Sequence, residues 1–164
     1  VWREERNGGE SAAVEFGARQ CLERSIPAML VIPGDVPLVR PEDVQSVLAT
    51  DSGQPGLTLV SSRDGTGSNA VLRRPPDAIG SHFGMTSFRE HQEEAAARGI
   101  PVTLVRNFRI ELDVDTPEDL GLFVAYENVP SLRPRQTSRA YAALERLGLA
   151  KRLAELPFSL RAKQ

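Results

Sequence analysis

The chain has 164 residues, 40% of them hydrophobic and 26% charged, with a formal net charge of −2. That length allows one domain with a sizeable core, and the composition is that of an ordinary soluble globular protein. The charge gives no reason to expect a nucleic-acid surface or an anionic-membrane binder, no apolar run approaches the ~18 residues a membrane span needs, and no signal peptide is visible.

Residues 1–9 are charged and glycine-rich and read as a loop. The chain opens on Val1 in a polar segment, so a fragment of something longer is expected. From Glu10 the apolar residues Ala13, Val14, Phe16, Gly17, Cys21 and Leu22 recur at helical spacing, which predicts a helix to about Arg24 with Ser11 as a candidate start. Cys21, the single cysteine, excludes an internal disulfide, fits a reducing cytoplasm, and on this stripe reads as a small buried hydrophobe rather than a nucleophile. Ser25-Ile26-Pro27 ends the helix, and residues 28–32 form a short apolar strand. Pro33-Gly34 then turns the chain and places Asp35 at the strand tip. Helix, turn, strand and tip make half of a parallel crossover unit. An ionised Asp there must be hydrated, paired or metal-bound, and the strand tips of an open α/β sheet are where ligands collect. A turn-forming Asp that caps the next helix is the other reading of the same residue.

Pro41-Glu42-Asp43 starts a helix to about Thr50, with proline at the first position and acids in the first turn. Residues 57–60 are strand-like. The stretch Arg63-Asp64-Gly65-Thr66-Gly67-Ser68-Asn69-Ala70 follows directly, and its glycines and small hydroxyls suit an anion-binding loop. The lysine of a P-loop is missing, and a plain hairpin turn has the same composition. Arg73-Arg74-Pro75-Pro76 reads as a stiff basic connector. Arg63, Arg73 and Arg74 are candidates to assist with phosphate charge, with at least two of them expected on solvated surface.

Ser87 and Glu90 have capping-box spacing for a helix that runs to Arg98 and stops at Gly99. Gly84 and Ser87 at its start could hold a phosphate, or simply cap the helix. His82 and His91 lack metal-ligand spacing, but His91 lies near enough to the helix start to contact a bound anion. Residues 101–105 form a further strand. In Arg109-Ile110-Glu111-Leu112-Asp113-Val114-Asp115 the apolar and acidic residues alternate, which predicts a strand with Glu111, Asp113 and Asp115 on one face. Such a face invites a divalent cation, or is an exposed acidic edge. Thr116, Pro117 and Asp119 cap the next helix. Residues 127–136 read as a linker. Residues 138–156 read as an amphipathic helix that packs on the domain or on a second subunit. There is no internal repeat.

Taken in order, Pro-Gly-Asp35-Val-Pro, Asp64-Gly-Thr66-Gly-Ser-Asn69-Ala, Phe83-Gly84-Met-Thr-Ser87-Phe with His91, and Leu-Asp113-Val-Asp115-Thr-Pro-Glu-Asp-Leu form a set. Over residues 10–126 it resembles the guanylyltransferases of coenzyme F420 biosynthesis, within the nucleotide-diphospho-sugar transferase superfamily. The resemblance implies an α/β three-layer sandwich with a mixed, mostly parallel sheet, in a nucleotidyltransferase-like domain over residues 1–126. Residues 127–164 would supply the linker and C-terminal helix. It implies transfer of GMP from GTP to 2-phospho-L-lactate, phosphoenolpyruvate or 3-phosphoglycerate, with release of pyrophosphate. Asp35 and Asp113, or its neighbour Asp115, would hold Mg²⁺, and Thr66, Gly84 and Ser87 would bind the acid, joined by Asn69 and His91. GTP and the acid are the expected partners, with no nucleic acid or membrane, a cytoplasmic location, and a homodimer through the C-terminal helix as a further expectation. Nothing in residues 1–9 can form the superfamily's nucleotide-binding strand–helix–strand unit, which needs roughly 30 residues, so the chain is expected to lack it. Two competing readings are a nucleotidyltransferase with a sugar-phosphate or molybdopterin acceptor, and a truncated module that binds a phosphorylated acid without turnover.

Overall fold

A strand that hydrophobic patterning does not reveal lies inside the sheet. The computed structural model describes residues 2–3, 8–129 and 138–154. In chain order the elements are α1 (Glu10–Glu23), β1 (Met29–Val31), α2 (Pro41–Leu48), β2 (Gly56–Ser61), β3 (Ser68–Arg74), α3 (Ser87–Ala97), β4 (Val102–Leu104), α4 (Phe108–Glu111), α5 (Pro117–Asn128), α6 (Arg139–Arg146) and α7 (Leu149–Ala154). The sheet order is β1-β3-β2-β4. β3 runs antiparallel to both β1 and β2, and β2 runs parallel to β4. The α/β class and the mixed sheet agree with expectation. The balance differs: two of the three pairings are antiparallel where a mostly parallel sheet was expected.

That difference comes from β3. Its apolar centre, Ala70-Val71-Leu72, is flanked by Ser-Asn on one side and two arginines on the other, so it reads as loop and connector. Paired on both sides, residues 68–73 are nevertheless all buried. Arg73 is 1% exposed because its guanidinium turns inward, donating to the Ile79 carbonyl at 2.8 Å and to Ser81 Oγ at 3.2 Å, with Glu15 at 3.5 Å. Arg74 pairs with Asp51. Arg73 is thus not solvated surface, Arg74 is paired and partly exposed, and neither lines the cavity described below.

The two faces of the sheet follow the period-two alternation of side chains. Leu57, Leu59 and Val71 pack with Ile79 and with Ala95 of α3. Val60, Ala70 and Leu72 pack with Val47 of α2 and Ile110 of α4. Helices thus cover both faces, which gives three layers. A third cluster joins Leu38 and Leu112 to Leu122, Phe123 and Val124 of α5, Tyr141 of α6 and Ala150 of α7. The single C-terminal helix expected from the pattern is two, broken at Gly148, whose φ of 68° lies in the left-handed region. Tyr141, Leu144, Ala150 and Leu153 pack with the α5 residues while Leu147 stays 70% exposed, and the Tyr141 hydroxyl donates to Asn128 Oδ1 at 3.0 Å. Residues 155–156 lie outside the described residues. Of the expected linker, Glu127 and Asn128 belong to the last turn of α5, and residues 130–137 also lie outside the described residues.

The expected acidic strand is corrected as well. Asn107 Oδ1 accepts from the backbone N–H groups of Arg109 and Ile110, at 3.0 and 3.3 Å, and starts the single turn of α4. Residues 112–115 continue without strand pairing. Glu111 folds back, accepting from Arg106 Nε at 2.7 Å and from the Asn107 N–H at 3.0 Å, so it does not share a face with Asp113 and Asp115. Alternation misleads here because Ile110 and Leu112, both buried, enter different clusters.

Candidate active site

A cavity of about 860 Å³ opens at the ends of β1, β2 and α3. The first wall is the turn after β1, with Pro33 and Asp35, together with Asp113 and Asp115. The Val114 N–H donates to the Asp35 carbonyl at 3.0 Å, so a backbone bond joins the two carboxylate-bearing segments. Thr116 and Asp119, from the start of α5, form the rim. Thr116 Oγ1 accepts from the Asp119 N–H at 3.2 Å and the Asp119 carboxylate accepts from the Thr116 N–H at 3.0 Å, the capping box that the sequence predicts. Glu10, the first residue of α1, also reaches this side.

The second wall is the β2–β3 connection, residues 62–69. It is a hairpin loop, the plainer of the two sequence readings, and it lines the cavity all the same. Its N–H groups are largely spent internally. Thr66 donates to Asp64 Oδ1 from both its backbone N–H, at 3.0 Å, and its hydroxyl, at 2.8 Å. The Gly67 N–H donates to Ser62 Oγ at 2.8 Å. Hydrogen bonds from Ser62 and then Thr66 hold the Asp64 carboxyl below the usual range. Asn69 donates from Nδ2 to the Ile110 and Glu111 carbonyls, at 3.0 and 3.2 Å, and so anchors the segment that leads into Asp113.

The third wall is Phe83-Gly84-Met85 with Ser87. Gly84 has a φ of 142°, a backbone that an L side chain rarely adopts. The expected Ser87–Glu90 capping box does not form: the N-cap is Thr86, and Ser87 Oγ instead accepts from the Ser68 N–H at 2.8 Å. With the Phe88 N–H donating to the Thr66 carbonyl at 3.0 Å, this fastens α3 to the hairpin loop. His91 is not a lining residue. It is 1% exposed, accepts from the His82 N–H at Nε2 (3.2 Å), and stands 3.0 Å from Ser68 Oγ at Nδ1. Burial above all, with His82 and Arg73 nearby, pushes its pKa down to about 4.

The electrostatics of the cavity are lopsided. Arg63 is the only basic side chain lining it among the described residues, and its Nη2 donates to Asp119 Oδ1 at 2.9 Å. Burial opposes ionisation of Asp119, but hydrogen bonds from Thr116 and Arg63 win and hold its carboxyl low. Burial is also the main influence on Asp113; with Asp115 and Asp119 it outweighs local hydrogen bonds and pushes that carboxyl up. Burial and then Asp35 and Asp115 push Glu10 up. Among the described residues no cation pairs with Asp35, Asp113 or Asp115. Among the described residues no group of three or more Asp, Glu, His or Cys side chains is arranged to hold a metal unaided. Mg²⁺ does not need such a cage, since it is commonly held by one or two carboxylates plus substrate phosphates.

Seven of the eight expected site residues therefore meet at one cavity: Asp35, Thr66, Asn69, Gly84, Ser87, Asp113 and Asp115. His91 stands behind its wall. Sequence reasoning missed Glu10, Asp64, Ser68 and Asp119 as lining residues. Ser68 sat within the quoted loop motif, but nothing in its spacing marked its side chain.

Fold and site together define an α/β protein that gathers unpaired carboxylates and small hydroxyls at the strand ends of a mixed sheet. The profile of the family described as "Guanylyl transferase CofC like" matches residues 12–131, and the chain belongs to that family. It is 38% identical over 129 residues to a phosphoenolpyruvate guanylyltransferase of Rubrobacter xylanophilus, covering 78% of this chain and 62% of the relative. It is 32% identical over 120 residues to a 2-phospho-L-lactate guanylyltransferase of Methanothermobacter thermautotrophicus, covering 73% and 50%. It is 36% identical over 121 residues to a 3-phospho-D-glycerate guanylyltransferase of Phenylobacterium zucineum, covering 73% and 55%. The matched region thus spans half to about three-fifths of these relatives' length. No helix among the described residues is long and apolar enough to cross a membrane.

Proposed function

We propose that this chain carries the metal and acceptor sites of a cytoplasmic guanylyltransferase that joins GMP from GTP to a phosphorylated three-carbon acid, as in coenzyme F420 biosynthesis. The observation that carries the reading is the set of carboxylates, Asp35, Asp113 and Asp115, that have no cation partner among the described residues and face a wall of hydroxyls and glycine across one cavity. A phosphate oxygen of the acid attacks the α-phosphorus of GTP. The new P–O bond forms as the bond from the α-phosphorus to the bridging oxygen breaks, and pyrophosphate leaves with that electron pair. The attacking phosphate is already anionic near pH 7, so no strong general base is needed, in keeping with a cavity lined by no histidine among the described residues. Asp35 and Asp113, with Asp115 beside them, would hold Mg²⁺, which when bound neutralises phosphate charge. The protein's own part is positioning: the Asp35 turn and the 113–115 segment sit on one side, and the α3 wall holds the acid on the other.

The direct test is pyrophosphate release from GTP and Mg²⁺ by the full-length gene product with each of the three acids. Release is expected with at least one acid and not with sugar phosphates; no release with any acid sinks the reading. A second readout avoids turnover. Mg²⁺ is expected to raise the melting temperature of the wild-type chain by screening carboxylates crowded without cations. Asp113→Asn is expected to melt no lower than wild type without Mg²⁺ and to gain little from it, as followed by thermal denaturation. An equal Mg²⁺ gain in that variant removes Asp113 from the metal site.

A further inference from the structure

The family reading leaves open how a cavity rich in carboxylates holds an anionic acid. Its basic lining residue, Arg63, is already engaged by Asp119. On the side of the cavity away from those carboxylates the anion is left to neutral donors, and the hydrogen-bond pattern behind the wall identifies one. The His82 N–H donates to His91 Nε2, and a ring nitrogen that accepts carries no hydrogen. Burial keeps this ring neutral near pH 7. The network therefore assigns the hydrogen to Nδ1, which faces Ser68 Oγ at 3.0 Å, so His91 donates and Ser68 accepts. The hydroxyl hydrogen of Ser68 must point elsewhere. Ser68 lines the cavity, is 4% exposed, and has no acceptor for that hydrogen among the described residues.

Resting on the function proposed above, we infer that Ser68 donates its hydroxyl hydrogen to an anionic oxygen of the phosphorylated acid, and that His91 is the positioning residue that fixes this direction. Ser87, joined to Ser68 by a hydrogen bond, has a hydroxyl oriented by a backbone donor instead. Its Oγ accepts the Ser68 N–H, so one lone pair is occupied by a fixed donor while its own hydrogen is left to donate. Two adjacent hydroxyls, each oriented by an N–H from behind, make a short donor pair for a carboxylate or phosphate oxygen without adding charge. A buried hydroxyl hydrogen without an acceptor is costly, and a bound anion removes that cost.

The test uses steady-state kinetics of the full-length gene product and ¹⁵N NMR of its histidines. Ser68→Ala is expected to raise the KM for the acid about tenfold to a hundredfold, the loss of a hydrogen bond to a charged group, while the KM for GTP and kcat stay within about twofold. Ser68→Thr, which keeps the hydroxyl, is expected to restore the acid KM. His91→Phe is expected to raise the same KM, and to add little in the Ser68→Ala background because the group it orients is gone. The wild-type NMR spectrum is expected to show His91 protonated at Nδ1. An unchanged acid KM in Ser68→Ala, or a hydrogen on Nε2, overturns this inference while leaving guanylyl transfer intact. Absence of turnover with any acid in the wild type overturns the functional reading and this inference with it.

Discussion

Asp35→Ala is expected to lower kcat by at least about a thousandfold, since charge neutralisation at a transferring phosphoryl group contributes several kcal/mol. The expectation rests on where the residue sits. Pro33 and Gly34 end β1 and deliver Asp35 to the cavity at the level of Asp113 and Asp115, and the bond from the Val114 N–H to the Asp35 carbonyl fixes that approach through the backbone. Replacing the side chain leaves the backbone bond in place, so the fold is expected to persist, with circular dichroism and melting temperature close to wild type. The loss would then be chemical. Turnover by Asp35→Ala within tenfold of wild type would remove the residue from the metal site.

The largest effect on stability is expected at Asp43, which is 1% exposed under the sheet. Its carboxylate accepts from Arg109 Nε at 2.7 Å, from Arg109 Nη2, from Asn107 Nδ2 at 2.8 Å and from the Arg40 N–H at 2.9 Å. Removing one partner from a buried ion pair costs about 3–5 kcal/mol, because the partner is left without compensation. Asp43→Ala is therefore expected to melt lower by about 10 °C or more. Replacing Asp43 and Arg109 together by leucine and methionine is expected to recover part of the loss. The pair also has a pH signature. Burial opposes ionisation of Asp43, but the hydrogen bonds from Arg109 and Asn107 outweigh it and set the folded pKa below the usual value. A carboxyl depressed in this way adds stability that is present above its unfolded pKa of about 4 and is lost as pH falls through the folded value. Wild type should thus lose stability on acidification, and Asp43→Asn should lose less over the same range. A melting temperature for Asp43→Ala within about 2 °C of wild type contradicts this account.

Much of this architecture was legible in the residues. Apolar runs gave β1, β2 and β4. Pro41 and Asp43 marked the start of α2, Gly99 the end of α3, and Thr116, Pro117 and Asp119 the start of α5. These signals are local, so a local reading suffices. β3 was hidden because its strand character comes from pairing on both sides and from partners for Arg73 that are distant in sequence. The segment 108–115 was misread because two buried residues with strand-like spacing enter separate cores. In the site, carboxylates and glycines announced themselves by type and motif. Ser68 did not, because its role depends on which nitrogen of His91 carries a hydrogen, and only the bond from His82 decides that.

The stitching of α3 to the hairpin loop has a consequence for how the members of this family can diversify. The Phe88 N–H to Thr66 carbonyl bond and the Ser68 N–H to Ser87 Oγ bond tie this wall of the cavity together, so that it is one connected unit rather than a pair of independent loops. Under the function proposed above, a change of acceptor need not rebuild that wall. It can be made by the side chains mounted on it, above all Met85, which is 89% exposed at the cavity, and Phe83 beside it. Under the function proposed above, the wall would serve as a common frame for the phosphate and those side chains as the part fitted to one acid or another; the names of the relatives carry three such acids.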